Sequence, residues 1–109
     1  MVGEFNGCQY CLAAHTAIAT VHGMTKAEVK DVRQGQHTST QKQALIDFVK
    51  AVLINKGAAD EPTWRSFLQA GYTHEEAVEV VAQVAKNVGN NYINRLADTA
   101  IDLPLAELL

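Results

Sequence analysis

The sequence has few of the residues that interrupt helices or crosslink secreted scaffolds. Its 109 residues include only two prolines and two cysteines. Two cysteines cannot form the disulfide framework of a small secreted domain. A composition of 48% hydrophobic and 19% charged residues also excludes a disordered or collagen-like chain. We therefore expect one small globular domain over residues 1–109, with self-association as a way to complete its core.

Charge and hydropathy exclude further classes of protein. Nine basic residues are scattered among twelve acidic ones, for a net charge of −3, which argues against non-specific binding to nucleic acid. No apolar run approaches the roughly 20 residues that cross a bilayer, and no signal-like segment opens the chain. No phosphate-binding loop, dinucleotide fingerprint or paired-carboxylate site is present. We expect a cytoplasmic protein with no cofactor, no nucleic-acid partner and no membrane partner.

The apolar residues that are present recur mostly at helical spacing, and glycines follow most of the periodic segments. Thr25 with Glu28 and Thr73 with Glu76 have the spacing of capping boxes. The run 89–91 (Gly-Asn-Asn) predicts a kink or a close contact within the last segment. The pattern predicts an all-α fold with helices from about Cys8 to His22, from Thr25 to Gly35, from the loop at 36–40 to Gly57, from Asp60 or Glu61 to Gly71, and from Thr73 to about Ala100.

The most informative string is NGCQYCLAAH at residues 6–15. Cys8 and Cys11 are neighbours on the first turn of a helix and can form a disulfide. The free N–H groups of a helix N-terminus lower the pKa of a thiol. His15 follows Cys11 by four residues, one turn along the same face, in range to exchange a proton with that sulfur. Helix geometry thus places two thiols and a base for reversible thiol chemistry.

Other interpretations of these three residues are possible. The cysteines can be small buried hydrophobic residues. They can also bind a metal together with His15, although a closed zinc site needs a fourth ligand and no second Cys or His pair has suitable spacing. A c-type haem site is excluded because Leu12, not histidine, follows the second cysteine. We expect no metal at this site.

The string resembles a known family. The pattern Cys-x-Tyr-Cys-x-x-x-His preceded by Asn-Gly is similar to the AhpD-like branch of the carboxymuconolactone decarboxylase superfamily, whose members include alkylhydroperoxidases. The segments 71–77 (GYTHEEA) and 91–98 (NYINRLAD) also resemble the C-terminal half of these proteins. The resemblance implies a small antiparallel helical bundle that forms dimers, trimers or hexamers, with the motif helix near a subunit interface.

The resemblance also implies peroxide reduction. By the family pattern Cys11 attacks the peroxide oxygen and Cys8 resolves the sulfenic acid to a disulfide, which an external thiol reductant reopens. His15 matches the histidine of the family's proton relay.

One part of the family pattern is missing. The relay glutamate of the family falls upstream of Met1, so we expect an N-terminally shortened or divergent member. Glu4 is the nearest carboxylate, four residues before Cys8. We interpret it as a surface charge that favours the helix dipole rather than as a substitute relay.

Two alternative functions remain. One is a carboxymuconolactone decarboxylase-like lyase, whose family members generally lack the cysteine pair. The other is a non-catalytic helical assembly module with structural thiols.

Elsewhere, Asn91 and Arg95 lie four residues apart on one helix face, which favours an interhelical hydrogen bond or a subunit contact over catalysis.

Overall fold

The structure is a computed structural model that describes residues 1–109 and contains six α-helices and no β-strand. This confirms the all-α prediction. None of the helices is both long and apolar enough to cross a membrane. The helices are α1 (Val2–Phe5), α2 (Gln9–Val21), α3 (Lys26–Arg33), α4 (Thr40–Ile54), α5 (Glu61–Gln69) and α6 (His74–Leu96).

Side-chain caps begin most of these helices at the positions that the sequence indicates. Thr25 and Glu28 form a full capping box at α3. Thr73 and Glu76 exchange equivalent hydrogen bonds of 2.8 and 3.1 Å at α6. Each box satisfies amide groups that a helix N-terminus leaves without an intrahelical acceptor. Side chains of Ser39 and Asp60 cap α4 and α5.

Two elements differ from the sequence-based prediction. The four-residue helix α1 was not predicted, because so short a segment has no measurable periodicity. α6 ends at Leu96 rather than near Ala100, and Asp98, with φ +48°, has a conformation that cannot continue a helix.

The chain divides into two compact units. Residues 35–85 form one of them, around an aromatic cluster in α4 and α5 and the turn after α5. Phe67 is fully buried and stacks on Phe48 and Tyr72 at centroid distances of 4.3 and 4.7 Å. Trp64 lies 6.0 Å from Phe67, so the aromatic residues of this unit pack as a core.

Residues 1–34 and 86–109 form the other unit, which contains the cysteine motif. It comprises α1, α2, α3, the second half of α6 and the segment after it. Its buried residues include both cysteines, Leu12, Ala13 and Asn91. That residues 1–109 form a single domain stays a prediction.

Candidate active site

A disulfide between Cys8 and Cys11 lies at the N-terminus of α2. Cys8 is the N-cap residue of this helix, and its sulfur accepts a hydrogen bond from the Cys11 amide at 3.2 Å. Both residues are buried, with 1% and 5% of their surface exposed. The spacing therefore places the sulfurs together at the end of the helix where N–H groups favour negative charge.

Hydrogen bonds to α1 and α6 hold the turn that leads into α2. Gly7 has φ +63°, a conformation that disfavours a side chain. The Cys8 amide donates to the Gly3 carbonyl at 2.9 Å, which connects the motif to α1. Asn6 donates through Nδ2 to Asn91 Oδ1 at 3.0 Å and accepts through its carbonyl from Arg95 at 2.8 Å. α6 thus fixes the residues immediately before the first cysteine.

Asn91 is the side chain of α6 that is most completely buried. None of its surface is exposed, and its Nδ2 has no hydrogen-bond partner. Of the kink or close contact predicted for the run 89–91, the helix shows no break, and the contact is made by Asn91 alone, because Gly89 has open space around it and Asn90 is exposed. Asn91 and Arg95 make the predicted contacts within the chain, both to Asn6.

Asn94 contacts the second sulfur of the site. Its Nδ2 lies 3.7 Å from Cys11 Sγ. The same nitrogen donates to the Asn90 carbonyl at 2.9 Å, and the Thr99 hydroxyl donates to Asn94 Oδ1 at 2.8 Å. These two bonds fix the amide so that its N–H group faces the sulfur. Sequence reasoning missed Asn94 because its partner is 83 positions away.

His15 lies one turn after Cys11, on the part of α2 that reaches the surface. Of the three predicted site residues, the structure joins Cys8 and Cys11 through the disulfide. The imidazole of His15 makes no hydrogen bond to either sulfur. Neighbouring atoms still cover part of the imidazole. This partial burial lowers the pKa of His15 below its usual value, and the positive N-terminal ammonium adds a smaller lowering. The neutral ring, which can accept a proton, is favoured.

Glu4 forms an ion pair with Arg33 rather than contacting the sulfurs. The distance from Glu4 Oε2 to Arg33 Nε is 2.8 Å, and only 9% of the Arg33 side chain is exposed. This partner was not predicted, since it lies on α3, 29 positions from Glu4.

A cavity of about 220 Å³ borders the first cysteine. Cys11 and His15 are not part of its wall. No cluster of three or more His, Cys, Asp or Glu side chains is arranged to hold a metal ion. The wall consists of residues from the motif and from the end of α6 onward, namely Gly7, Cys8, Gln9, Tyr10, Asn94, Arg95, Asp98, Thr99 and Ile101.

Comparison with known protein families finds a match over the segment that contains this site. Residues 2–52 match the carboxymuconolactone decarboxylase family. The match includes α1, α2, α3 and most of α4, and therefore the whole cysteine–histidine motif. The resemblance to this family is confirmed over those residues, and assignment to its AhpD-like branch is consistent with the match. No curated protein matches the chain.

Proposed function

We propose that the chain is a thiol-dependent peroxidase, or a disulfide reductase, with Cys11 as the attacking thiol, Cys8 as the resolving thiol and His15 as the base. The observation that carries the proposal is the Cys8–Cys11 disulfide at the N-terminus of α2, with a histidine one turn further along. The match over residues 2–52 supports it, since that family includes enzymes of the peroxidase and decarboxylase types.

The proposed cycle has two oxidative steps. The Cys11 thiolate attacks the terminal oxygen of a peroxide, the O–O bond breaks, and an alcohol or water leaves with a proton. Cys11 is then a sulfenic acid. The Cys8 thiol displaces its hydroxyl group as water, which forms the disulfide. An external thiol reductant returns both sulfurs to thiols.

The surroundings of Cys11 favour the reactive thiolate. The Asn94 amide, 3.7 Å away, stabilises negative charge on this sulfur, whereas the N-terminal N–H group of Cys11 donates to Cys8 Sγ. His15, whose pKa is lowered mainly by burial, is available as a neutral proton acceptor. These groups supply a nucleophile and a base without a bound cofactor.

The test is peroxide consumption by the reduced protein, measured for wild type, Cys11→Ser and Cys8→Ser with a thiol reductant present. We expect Cys11→Ser to lose consumption. Cys8→Ser should form one sulfenic acid on Cys11, detected by mass after dimedone labelling, and then stop turning over with a dithiol-specific reductant. Equal consumption by wild type and Cys11→Ser would show that the assignment is wrong.

The lyase remains a second candidate because the matched family is named for carboxymuconolactone decarboxylases. A lyase of this kind needs no thiol pair, so its activity should survive in the double variant Cys8→Ser/Cys11→Ser. A product assay on carboxymuconolactone distinguishes it from the peroxidase. If neither activity is found and both reduced thiols are inert to alkylation at neutral pH, the chain is a helical assembly module with structural thiols.

A further inference from the structure

Residues of α2, α3 and the segment after α6 line a cavity of about 360 Å³ away from the cysteine motif. It lies wholly within the unit formed by residues 1–34 and 86–109, and it shares no wall residue with the cavity beside Cys8. Much of the wall is apolar. Its apolar residues include Ala17 on α2, Val29 on α3, and Leu105 and Leu109 of the last segment.

The charged residues of this wall are mostly basic. α3 contributes Lys26, Lys30 and Arg33, which are three of the nine basic residues of the chain. Glu107 is the one acidic side chain of the wall. Arg33 already pairs with Glu4, whereas the ammonium groups of Lys26 and Lys30 form no ion pair. The cavity therefore has two unpaired positive charges beside an apolar surface.

The placement of these two lysines is unfavourable without an anion. Lys26 and Lys30 lie four residues apart on one face of α3, and like charges at this spacing repel. Lys26 also lies in the first turn of the helix, where the helix dipole disfavours positive charge. An anion beside both lysines offsets these effects. An alkyl chain on the same ion can cover apolar side chains that water now reaches, since Leu105 and Leu109 are 72% and 50% exposed.

We infer that this cavity binds a medium-chain alkyl carboxylate, with its charged group beside Lys26 and Lys30 and its alkyl chain against the apolar wall. The volume lies in the range of roughly 300–1,000 Å³ that small-molecule sites occupy. At roughly 30 Å³ for each water-sized group, the cavity has room for about twelve non-hydrogen atoms, as in decanoate. No cysteine lines this site, so its occupancy and the proposed redox function are tested separately.

Isothermal titration calorimetry of the wild-type chain with decanoate is the first test. We expect one saturable site with a Kd below about 1 mM, and binding that tightens about two- to fourfold for each methylene from hexanoate to decanoate. Octanol, which has no charge, should bind at least about tenfold more weakly than octanoate. The absence of saturable decanoate binding, or equal affinities for octanol and octanoate, would overturn the inference.

The second test removes the two unpaired charges. Lys26→Gln/Lys30→Gln should weaken decanoate binding by about tenfold or more, because the carboxylate loses both cationic partners. Lys42→Gln/Lys86→Gln makes the same change in net charge at exposed positions outside the cavity and should bind as wild type does. Equal affinities of the two double variants would contradict the inference.

The third test fills the cavity. Ala17 is a half-buried residue of the wall, so Ala17→Phe should weaken the binding of decanoate about tenfold, whereas Ala82→Phe at an exposed position of α6 should not. Wild-type affinity in a folded Ala17→Phe protein would count against the site. The lysine variants change only exposed side chains, so they decide the matter if Ala17→Phe does not fold.

Cosedimentation with vesicles of anionic phospholipid distinguishes a free carboxylate from a membrane surface. We expect no cosedimentation of the wild-type chain at physiological ionic strength. Cosedimentation that depends on Lys26 and Lys30, without saturable binding of free decanoate, would assign the two lysines to a lipid surface and overturn the inference.

Discussion

Each sulfur of the candidate site faces an N–H group from a different part of the chain. Cys8 Sγ accepts from the Cys11 amide on the first turn of its own helix. Cys11 Sγ faces Asn94 on α6. The two buried sulfurs therefore each lie beside an N–H group, the kind of contact that stabilises negative charge on sulfur.

Protonation of His15 should control the pH dependence of the reaction. Partial burial lowers its pKa, so the neutral base persists below the reference value of about 6.5. Peroxide consumption that depends on His15 should thus be retained at pH 6.5 and fall only at lower pH. NMR titration of the ring, with a blocked histidine peptide as the reference, measures the pKa directly.

The same shift has a consequence for stability. The folded protein binds fewer protons at His15 than the unfolded chain does, so the free energy of unfolding should fall as the pH drops from about 6.5 through the lower native pKa. His15→Gln should remove this part of the pH dependence. A native pKa above the reference peptide would show that the prediction is wrong.

Glu4 should matter for stability more than for turnover. Glu4→Gln removes the charged partner of Arg33, whose side chain is only 9% exposed, so we expect a loss of about 1–2 kcal/mol in the free energy of unfolding. Urea denaturation measures this loss, and the rate of peroxide consumption per folded molecule should be unchanged.

Glu61→Gln is the matched control. Its partner Arg65 and its own side chain are 65% and 71% exposed, so breaking that pair should change stability very little. If folded Glu4→Gln instead loses turnover at unchanged stability, the carboxylate has a relay role.

Among the elements, α6 connects the distant parts of the site. Asn91, Asn94 and Arg95 of this helix contact Asn6 or Cys11, which are 83 to 89 positions away in the sequence. The second half of α6 therefore positions the cysteine turn, while the first half belongs to the other compact unit.

Asn91→Ala tests this role of α6. The change removes the hydrogen bond to Asn6 and leaves space in a fully buried position, so we expect a loss of about 1–3 kcal/mol in the free energy of unfolding. Asn90→Ala is the control, because it has the same gain in helix propensity at an exposed neighbouring position.

A double variant with Asn6→Ala isolates the coupling between the two side chains. Thermal or urea unfolding supplies the measurements. An Asn91→Ala protein as stable as Asn90→Ala would mean that the buried contact contributes nothing.

The sequence predicted local features of the helices better than it predicted contacts between them. The capping boxes at Thr25 and Thr73 are local patterns in which the threonine hydroxyl oxygen and the amide that donates to it lie three residues apart. The Cys8–Cys11 pair is local in the same sense. The contacts of Arg33 and Asn94 join separate helices, and no spacing rule within one helix specifies such partners.

At the scale of the whole molecule, several large apolar side chains are exposed along α6. Tyr92, Ile93 and Leu96 have 58%, 64% and 90% of their surface exposed. A small domain gains stability by covering such residues, in line with the self-association expected from the size of the chain. We propose that a second copy of this chain covers the end of α6.

Light scattering after size-exclusion chromatography tests this proposal. Wild type should elute as a homo-oligomer, and the double variant Ile93→Lys/Leu96→Lys should shift to a smaller species because lysine charges oppose apolar burial. Leu108→Lys alters a residue that is 92% exposed outside the helices and should leave the size unchanged. A monomeric wild type at micromolar concentration would contradict the proposal.

The disulfide encloses only Gln9 and Tyr10 between its cysteines. A crosslink restricts the unfolded chain less when the enclosed loop is short. Opening this bridge therefore returns little freedom to the chain, and neither the aromatic cluster of residues 35–85 nor the capping box at Thr73 contains a cysteine. If the two cysteines cycle between disulfide and thiols as proposed, each reduction should therefore leave the helices and the aromatic cluster in place.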